Sequence, residues 1–548
     1  MKRYTIGLDY GTLSVRALLL DLLTGEEKAE CVFEYPHGVL EKALPCGTEL
    51  PPDWALQVPR DYLQGLAAVV RGVLEKSGVS GAEVAGIGID FTACTILPTD
   101  AEGTPLCERP EFESTPNAYC KLWKHHSAQI YADRIDAVAK QRGEPWLSLY
   151  GDRVSSEWMF PKILQTVQES PEVYRAAAFI LEAGDWIVWK LTGVQARSAC
   201  GAGYKAFYRD GKGYPEPEFF RALHPMLEDV VQTKLNAPII PVGSCAGGIT
   251  AEMAEQLGLC EGTPVAAAVI DAHASVPASG ICNPGSMLVI MGTSSCHMLL
   301  SKEECGIPGV CGIVKDGIIP GLFAYEAGQT CVGDSFSWFV HNGIPSDYEK
   351  EAEQRGVSIH RLMRERACVL QPGESGLIAL DWFNGARSPW MDSELSGTIV
   401  GMTIATRPEE IYRALLESTA FGTRRIIDQF VRAGVPVQKL CAAGGIPMKD
   451  SLIMQIYADV CNREITVAGS GQSGAFGSAI YAAAAAGIGG VAELSARLGR
   501  LSGTVYRPIP ENVRRYEALY AEYCRLSEFF GRENDTMHRL RAMKNGCF

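Results

Sequence analysis

Residues 4–20 read YTIGLDYGTLSVRALLL: an apolar run ends in Asp9, turns through Tyr10-Gly11-Thr12, and resumes from Val15 to Leu20. Two apolar runs joined by a short Gly-containing turn predict a β-hairpin with a carboxylate and a hydroxyl at its tip. Gly11 lets the backbone approach a ligand, and neighbouring N–H groups can face an anion. Asp9 would repel a phosphate unless a divalent cation stood between them. The stretch therefore suggests a Mg2+–nucleotide site without a Walker loop, although a plain acidic turn explains these residues equally well on their own.

A second copy decides between the two readings. Residues 286–295, SMLVIMGTSS, run an apolar strand into Gly292-Thr293 and a hydroxyl-rich tip, and Cys296 to Leu300 forms the return strand. A helical pattern from Glu409 to Val431 then precedes a strand from Gln438 to Ala443 that ends in Gly444-Gly445. The first half has the same order: helical spacing over 60–76, a buried strand over 84–90, and Phe91-Thr92-Ala93-Cys94 just past its end. In open α/β sheets that end is where ligands bind. The repeated order predicts a duplicated α/β domain with a ligand in the cleft between facing strand ends. The turn at Asn283-Pro284-Gly285 divides the chain into residues 1–282 and 283–548, the second ending in a helical tail.

Bulk properties agree with this organisation. A chain of 548 residues exceeds one core, and 47% hydrophobic with 21% charged residues is ordinary globular composition. A net charge of −14 argues against a nucleic-acid surface. Eighteen scattered cysteines without a Cys-x-x-Cys fit reduced thiols in a cytoplasmic protein, not a zinc site or disulfide framework. Asp9 interrupts the N-terminal apolar stretch, so no signal peptide is read. Ala475 to Val491 is too weakly apolar for a membrane span and is expected to be a closely packed internal helix. Between these landmarks, residues 31–59 and 196–218 read as irregular. Residues 117–141 and 158–192 read as mainly helical, with Trp123 to His126 on the first, and Thr263 to Ile270 reads as one strand. The arginine-bearing stretch 510–548 reads as a solvated helical tail or a subunit contact, leaving a homodimer open.

Phosphoryl transfer needs phosphate donors, a metal site and a base for the acceptor hydroxyl. Gly11-Thr12 and Gly292-Thr293 can supply donors from two hairpins, and Asp9 can hold Mg2+ through water. Arg16 can steady Asp9 or a phosphate, or form a structural ion pair. Asp271, at a strand end among Ala272, Ala274 and Ser275, is the candidate base; a helix-capping Asp is the competing explanation. Gly444-Gly445 offers backbone against which a flat base can lie, and the Gly-rich run 469–474 offers a further wall.

Taken together, these features resemble the FGGY family of carbohydrate kinases, built on two actin-like ATPase (ribonuclease H-like) domains flanking a catalytic cleft. The resemblance covers nearly the whole chain. Gly397 to Met402 followed by Glu410-Ile411, Ala414 and Leu416-Glu417 is similar to the family's C-terminal pattern. The words GIDFTACTILP (88–98), LWKHHSAQ (122–129), SSEW (155–158), GYKAFY (203–208), IDAH (270–273) and YEAGQ (325–329) resemble its ribulose-phosphorylating members. The resemblance implies ATP and Mg2+ as cofactors and transfer of the γ-phosphoryl group to O5 of a ketopentose, L-ribulose. It implies Asp271 as base, and Ala93, Lys205 and Glu326 around the sugar. It places Asp9, Thr12, Gly292, Thr293, Gly444 and Gly445 at nucleotide-binding positions. Lys449-Asp450 stands where the family often has Asn, Gly474 to Gly477 replaces a more usual Ala-Leu-Gly-Ala segment, and Pro161 interrupts the N-terminal pattern. His125 and His126 are given no catalytic part. The rivals are a family member acting on D-ribulose, xylulose or ribitol, and an actin-like ATPase serving as a chaperone or filament, for which the chain shows no peptide-binding domain.

Overall fold

The computed structural model describes residues 2–544. The opening hairpin forms from β1 (Tyr4–Tyr10) and β2 (Ser14–Asp21), antiparallel, with Asp9 opposite Arg16. A third strand, β3 (Glu27–Glu34), continues the meander and corrects the reading of residues 31–59, whose first part is strand. Its burial alternates residue by residue, the mark of a one-sided strand, whereas β1 is covered on both faces, as its unbroken apolar run requires. After α1 (Pro59–Ser77), β4 (Val84–Phe91) lies parallel to β1. The sheet is completed by β5 (Cys245–Gly248), β6 (Pro264–Ala266) and β7 (Val269–Ile270), in the order β5-β6-β4-β1-β2-β3 with β7 also on β4.

The second sheet is built from β8 (Ser286–Met291), β9 (Ser295–Ser301), β10 (Gly312–Lys315), β11 (Phe323–Gln329), β12 (Lys439–Ala443), β13 (Ile465–Ala468) and β14 (Leu501–Tyr506). Its order is β10-β11-β9-β8-β12-β13-β14. In both sheets the first hairpin strand is central. A meander runs off one side of it, and parallel strands delivered by crossovers lie on the other. The duplication read from the two hairpins is therefore a duplication of sheet topology.

Several segments depart from the sequence reading. Residues 196–218 are not simply loop: α2 (Ala199–Lys205) forms although it contains Gly201 and Gly203. Ser198 caps it through the Cys200 N–H at 3.2 Å, all seven residues are buried, and burial overrides the poor helix propensity. Trp123 to His125 do not lie on a helix, and His126 only opens the short 3-10 turn His126–Ala128. Backbone bonds to Ala55 and Asp53 hold this segment, and the α-helix begins only at Gln129. A strand, Phe179–Glu182, interrupts residues 158–192 and joins a small sheet with Ile96–Thr99. The strand expected over Thr263 to Ile270 is broken: Val265 pairs with Ile87 and Val269 with Asp90, so four residues advance against three. That bulge aims the following helix, α3 (Asp271–Ala278), at the end of β4.

In the second half, α4 (Pro408–Arg432) is followed by α5 (Ser451–Cys461) and α6 (Ser473–Ala485). The Ala-rich α6 lies against β1, β4 and α3 of the first half. A β-carbon on Gly7 would run into the Ala475 carbonyl, and one on Gly477 into the Ala274 carbonyl, so backbone meets backbone here. The expectation of a closely packed internal helix is met. No helix among the described residues is long and apolar enough to cross a membrane. The final long helix, α7 (Pro510–Glu528), is no solvated tail: Tyr516 and Tyr523 are buried, and the Tyr523 hydroxyl donates to Asp381 at 2.7 Å. Its arginines, Arg514, Arg515 and Arg525, face solvent.

Candidate active site

Two central strands carry aspartates at the same level. Asp9 on β1 is the register partner of Asp90 on β4. Asp90 is fully buried, its Oδ2 accepts the Ser478 hydroxyl of α6 at 2.7 Å, and its Oδ1 has no partner. Burial, and then the charge of Asp9, push the Asp90 carboxyl well above the usual carboxylate range. Gly474 closes over both groups, since a β-carbon there would sit 3.2 Å from the Asp9 carboxyl carbon and 3.3 Å from an Asp90 oxygen. Arg16 reaches Asp9 Oδ2 at 3.3 Å, the ion pair weighed as one reading of that residue.

Asp90 was not singled out from the sequence. It ends an apolar run, as Asp9 does, and that parallel was the available signal. An orphaned buried carboxylate oxygen beside a second carboxylate suits a hard divalent cation, which takes oxygen ligands. Among the described residues no three His, Cys, Asp or Glu side chains gather to hold a metal. The pair therefore fits Mg2+ that keeps most of its water and arrives with phosphates.

Asp271 opens α3, partly exposed, with its Oδ1 accepting the Ala272 N–H at 2.7 Å. Burial first, then the charges of Asp9 and Glu326, push its carboxyl up to about 7, against the Ala272 N–H and the Lys205 ammonium, which lower it. Ala93 is half-buried just beyond β4. The next residue, Cys94, takes the left-handed conformation at φ 49°, and its carbonyl accepts the buried Lys162 ammonium at 2.6 Å.

Lys205 ends α2 and Glu326 lies mid-strand in β11, yet Lys205 Nζ stands 3.0 and 2.9 Å from the two Glu326 oxygens. The sequence reading placed both around the sugar without pairing them. The structure pairs them directly. Burial opposes both charges, but each outweighs that penalty for the other: Lys205 stays above its ordinary range and Glu326 below.

The hairpin tips are closed alike. The Gly11 N–H donates to the Ser14 carbonyl and the Gly292 N–H to the Ser294 carbonyl, each at 2.9 Å. Thr12 is braced by the Trp123 indole N–H on its hydroxyl at 3.1 Å and by the Gln57 amide on its carbonyl at 2.7 Å. The Thr293 carbonyl accepts the Val332 N–H at 2.8 Å. A β-carbon on Gly444, at φ 100°, would run into the Met291 carbonyl beside Gly292, so a side chain has no room. Gly445 next to it faces open space. Asp450 caps α5 through the Leu452 and Ile453 N–H groups and pairs with Arg364 at 3.3 Å, so its carboxylate is already committed. His125 is buried and bonded to Ala55, Ser127 and Gln165, a packing position.

Carboxylates at one pair of strand ends, two small-residue hairpin tips and a polar pair from both halves suit transfer of a phosphoryl group to a hydroxyl. The comparisons with known proteins agree. The N-terminal domain of the FGGY family of carbohydrate kinases matches residues 4–277, and its C-terminal domain residues 287–486. A protein named Ribulokinase from Geobacillus thermodenitrificans is 53% identical over 99% of this chain and 97% of its own length. The Ribulokinase of Bacillus licheniformis is 53% identical over 97% of this chain and 98% of its own. Among solved structures, a ligand-bound xylulose kinase from Lactobacillus acidophilus superposes with TM-score 0.80 at 18% identity, covering 96% of this chain and 98% of that one. Another from Rhodospirillum rubrum gives 0.76 at 24%, with the same coverage. The fold is thus that of the actin-like ATPase sugar kinases, and with both domain patterns matched in order, this chain belongs to the FGGY family of carbohydrate kinases.

Proposed function

We propose that the protein is a ribulokinase that transfers the γ-phosphoryl group of ATP to O5 of L-ribulose, as in L-arabinose catabolism. Full-length relatives at 53% identity bearing that name support the reaction. The observation that carries the site is Asp271, a partly exposed carboxyl at the start of α3 whose proton affinity is raised to about 7 by burial and then by the charge of Asp9. A base with that affinity can take a hydroxyl proton near neutral pH, where an ordinary carboxylate is too weak.

In this reading Asp271 accepts the O5 proton as O5 attacks in line. Lys205 donates to sugar hydroxyls while Glu326 accepts from them, and Ala93 leaves room for the chain of the ketose. The tips at Gly11-Thr12 and Gly292-Thr293 present donors to the phosphates, and Gly444-Gly445 lies against the adenine side. Asp9, with Asp90 behind it, would hold Mg2+, which when bound neutralises phosphate charge. Arg16 keeps Asp9 oriented. The division into residues 1–282 and 283–548, each with one seven-stranded sheet, and a cytoplasmic location belong to the same reading.

The test is ADP release over a panel of ketopentoses and polyols. L-Ribulose should give the highest kcat/KM, with little release in the absence of sugar. Equal release with and without sugar would instead support an ATPase, and preference for xylulose, ribitol or D-ribulose would move the protein within its family.

A further inference from the structure

His273 lies two residues beyond Asp271 on α3, and its side chain is fully buried. Its Nδ1 is 3.2 Å from Cys200 Sγ on α2, and the ring packs on Tyr204 with centroids 4.2 Å apart. The Tyr204 hydroxyl in turn donates to the Ala324 carbonyl of β11 at 2.7 Å, tying α2 to the strand that carries Glu326. On its other side, His273 Nε2 stands 3.2 Å from Glu326 Oε2. That contact is short of hydrogen-bond alignment, and Nε2 has no other partner.

We propose that His273 is a positioning residue for Glu326: Cys200 fixes its tautomer, and the resulting Nε2–H holds the Glu326 carboxylate in the orientation it takes once the sugar is bound. The proposal rests on the sugar-pocket reading above.

The chemistry of the neighbours sets the tautomer. Burial pushes the Cys200 thiol up and the His273 imidazole down, so the thiol keeps its proton and the ring is neutral. A neutral imidazole has one N–H and one lone pair. The thiol can donate to Nδ1, which assigns the ring proton to Nε2, facing Glu326. The reverse tautomer would point a lone pair at a carboxylate, two acceptors face to face in a buried site. Lys205 contacts both Glu326 oxygens from one direction, and His273 approaches Oε2 from α3. Two donors on different elements restrict the carboxylate plane where one flexible ammonium does not. A buried N–H left out of line is costly, and bonds of this kind commonly align only once substrate is bound. A sugar hydroxyl donating to Glu326 would turn the carboxylate and complete the bond.

The substitutions separate positioning from packing. His273→Phe keeps an aromatic ring, larger than imidazole, without the donor, and His273→Gln returns an amide N–H near the Nε2 position. With ATP and L-ribulose, His273→Phe should raise KM for the sugar about tenfold or more, with KM for ATP within about twofold. His273→Gln should recover most of the loss. Cys200→Ala should give an intermediate rise in sugar KM, and Cys200→Ser, which restores a donor, should reverse it. A sugar KM within about twofold of wild type in His273→Phe would overturn the proposal. So would equal damage to both KM values in His273→Phe and His273→Gln, the result of a structural role. Independently of activity, 15N spectra of histidine-labelled wild-type protein without sugar should show His273 neutral and protonated on Nε2. A proton on Nδ1 would overturn the proposal even if the variants failed to fold. The same measurement decides the point if wild type phosphorylates no ketopentose, the outcome that would refute the sugar-pocket reading itself.

Discussion

Lys205 and Glu326 form a two-pronged ion pair that joins the first half of the chain to the second, at 3.0 and 2.9 Å and with only 4% and 7% of each residue exposed. Removing one member of a buried pair strands the other charge, at about 3–5 kcal/mol, whereas replacing both can be nearly neutral. Lys205→Ala should therefore lower stability and raise the sugar KM strongly. The double variant Lys205→Met with Glu326→Gln should regain stability in urea unfolding without regaining sugar binding. An unchanged sugar KM in Lys205→Ala would remove Lys205 from the pocket.

Asp271 sets the second expectation. Its carboxyl is pushed up to about 7, so as the proposed base it would be protonated and inactive below that pH. The kcat/KM for the sugar should rise through a limb near pH 7 and flatten above it. Asp271→Asn should reduce kcat by several orders of magnitude with the fold intact. Near-normal turnover in that variant would dismiss Asp271 as the base.

The same shift has a stability consequence. A carboxyl whose folded pKa lies above its unfolded value favours folding below the unfolded pKa and loses that contribution as pH rises through about 7. Without nucleotide or metal, Asp271→Asn should raise the melting temperature relative to wild type more at pH 8 than at pH 5. A gain independent of pH would show that desolvated charge is not its source.

Two glycines on α6 should respond differently to alanine. A β-carbon at Gly477 collides with the Ala274 carbonyl, so Gly477→Ala should force α6 from α3 and lower the melting temperature sharply. At Gly474 the nearest atoms are the Asp9 and Asp90 carboxyl groups at 3.2–3.3 Å. Gly474→Ala should keep the fold while raising the Kd for a non-hydrolysable Mg–nucleotide, read by calorimetry.

Asp450 is committed to capping α5. Asp450→Ala should cost about 1 kcal/mol of stability, the usual value of a lost N-cap. The KM for ATP should stay within about twofold, and a larger change would mean that the carboxylate reaches the nucleotide.

Local pattern was enough to place the two hairpins, α1, β4, α4 and β12, because each is an apolar run or helical stripe closed by glycine or a polar tip. The same pattern exposed the duplication of sheet topology. Where long-range contacts overruled propensity, sequence failed. The Gly-containing α2 is helical because it is wholly buried, and Trp123 to His125 form a turn held against residues 53–55 instead of a helix.

Asp9, Gly11, Thr12, Gly292, Thr293, Gly444, Gly445 and Asp271 are singled out by position in the sequence, since strand ends and turns are local events. Pairings are not local. The bulge between Val265 and Val269, the register that sets Asp90 beside Asp9, the union of Lys205 with Glu326, and the burial of His273 between Cys200 and Glu326 all arise from residues far apart in the chain. Only packing decides which charges lose their water together, and that loss sets both the proton affinity of Asp271 and the partnership of Lys205.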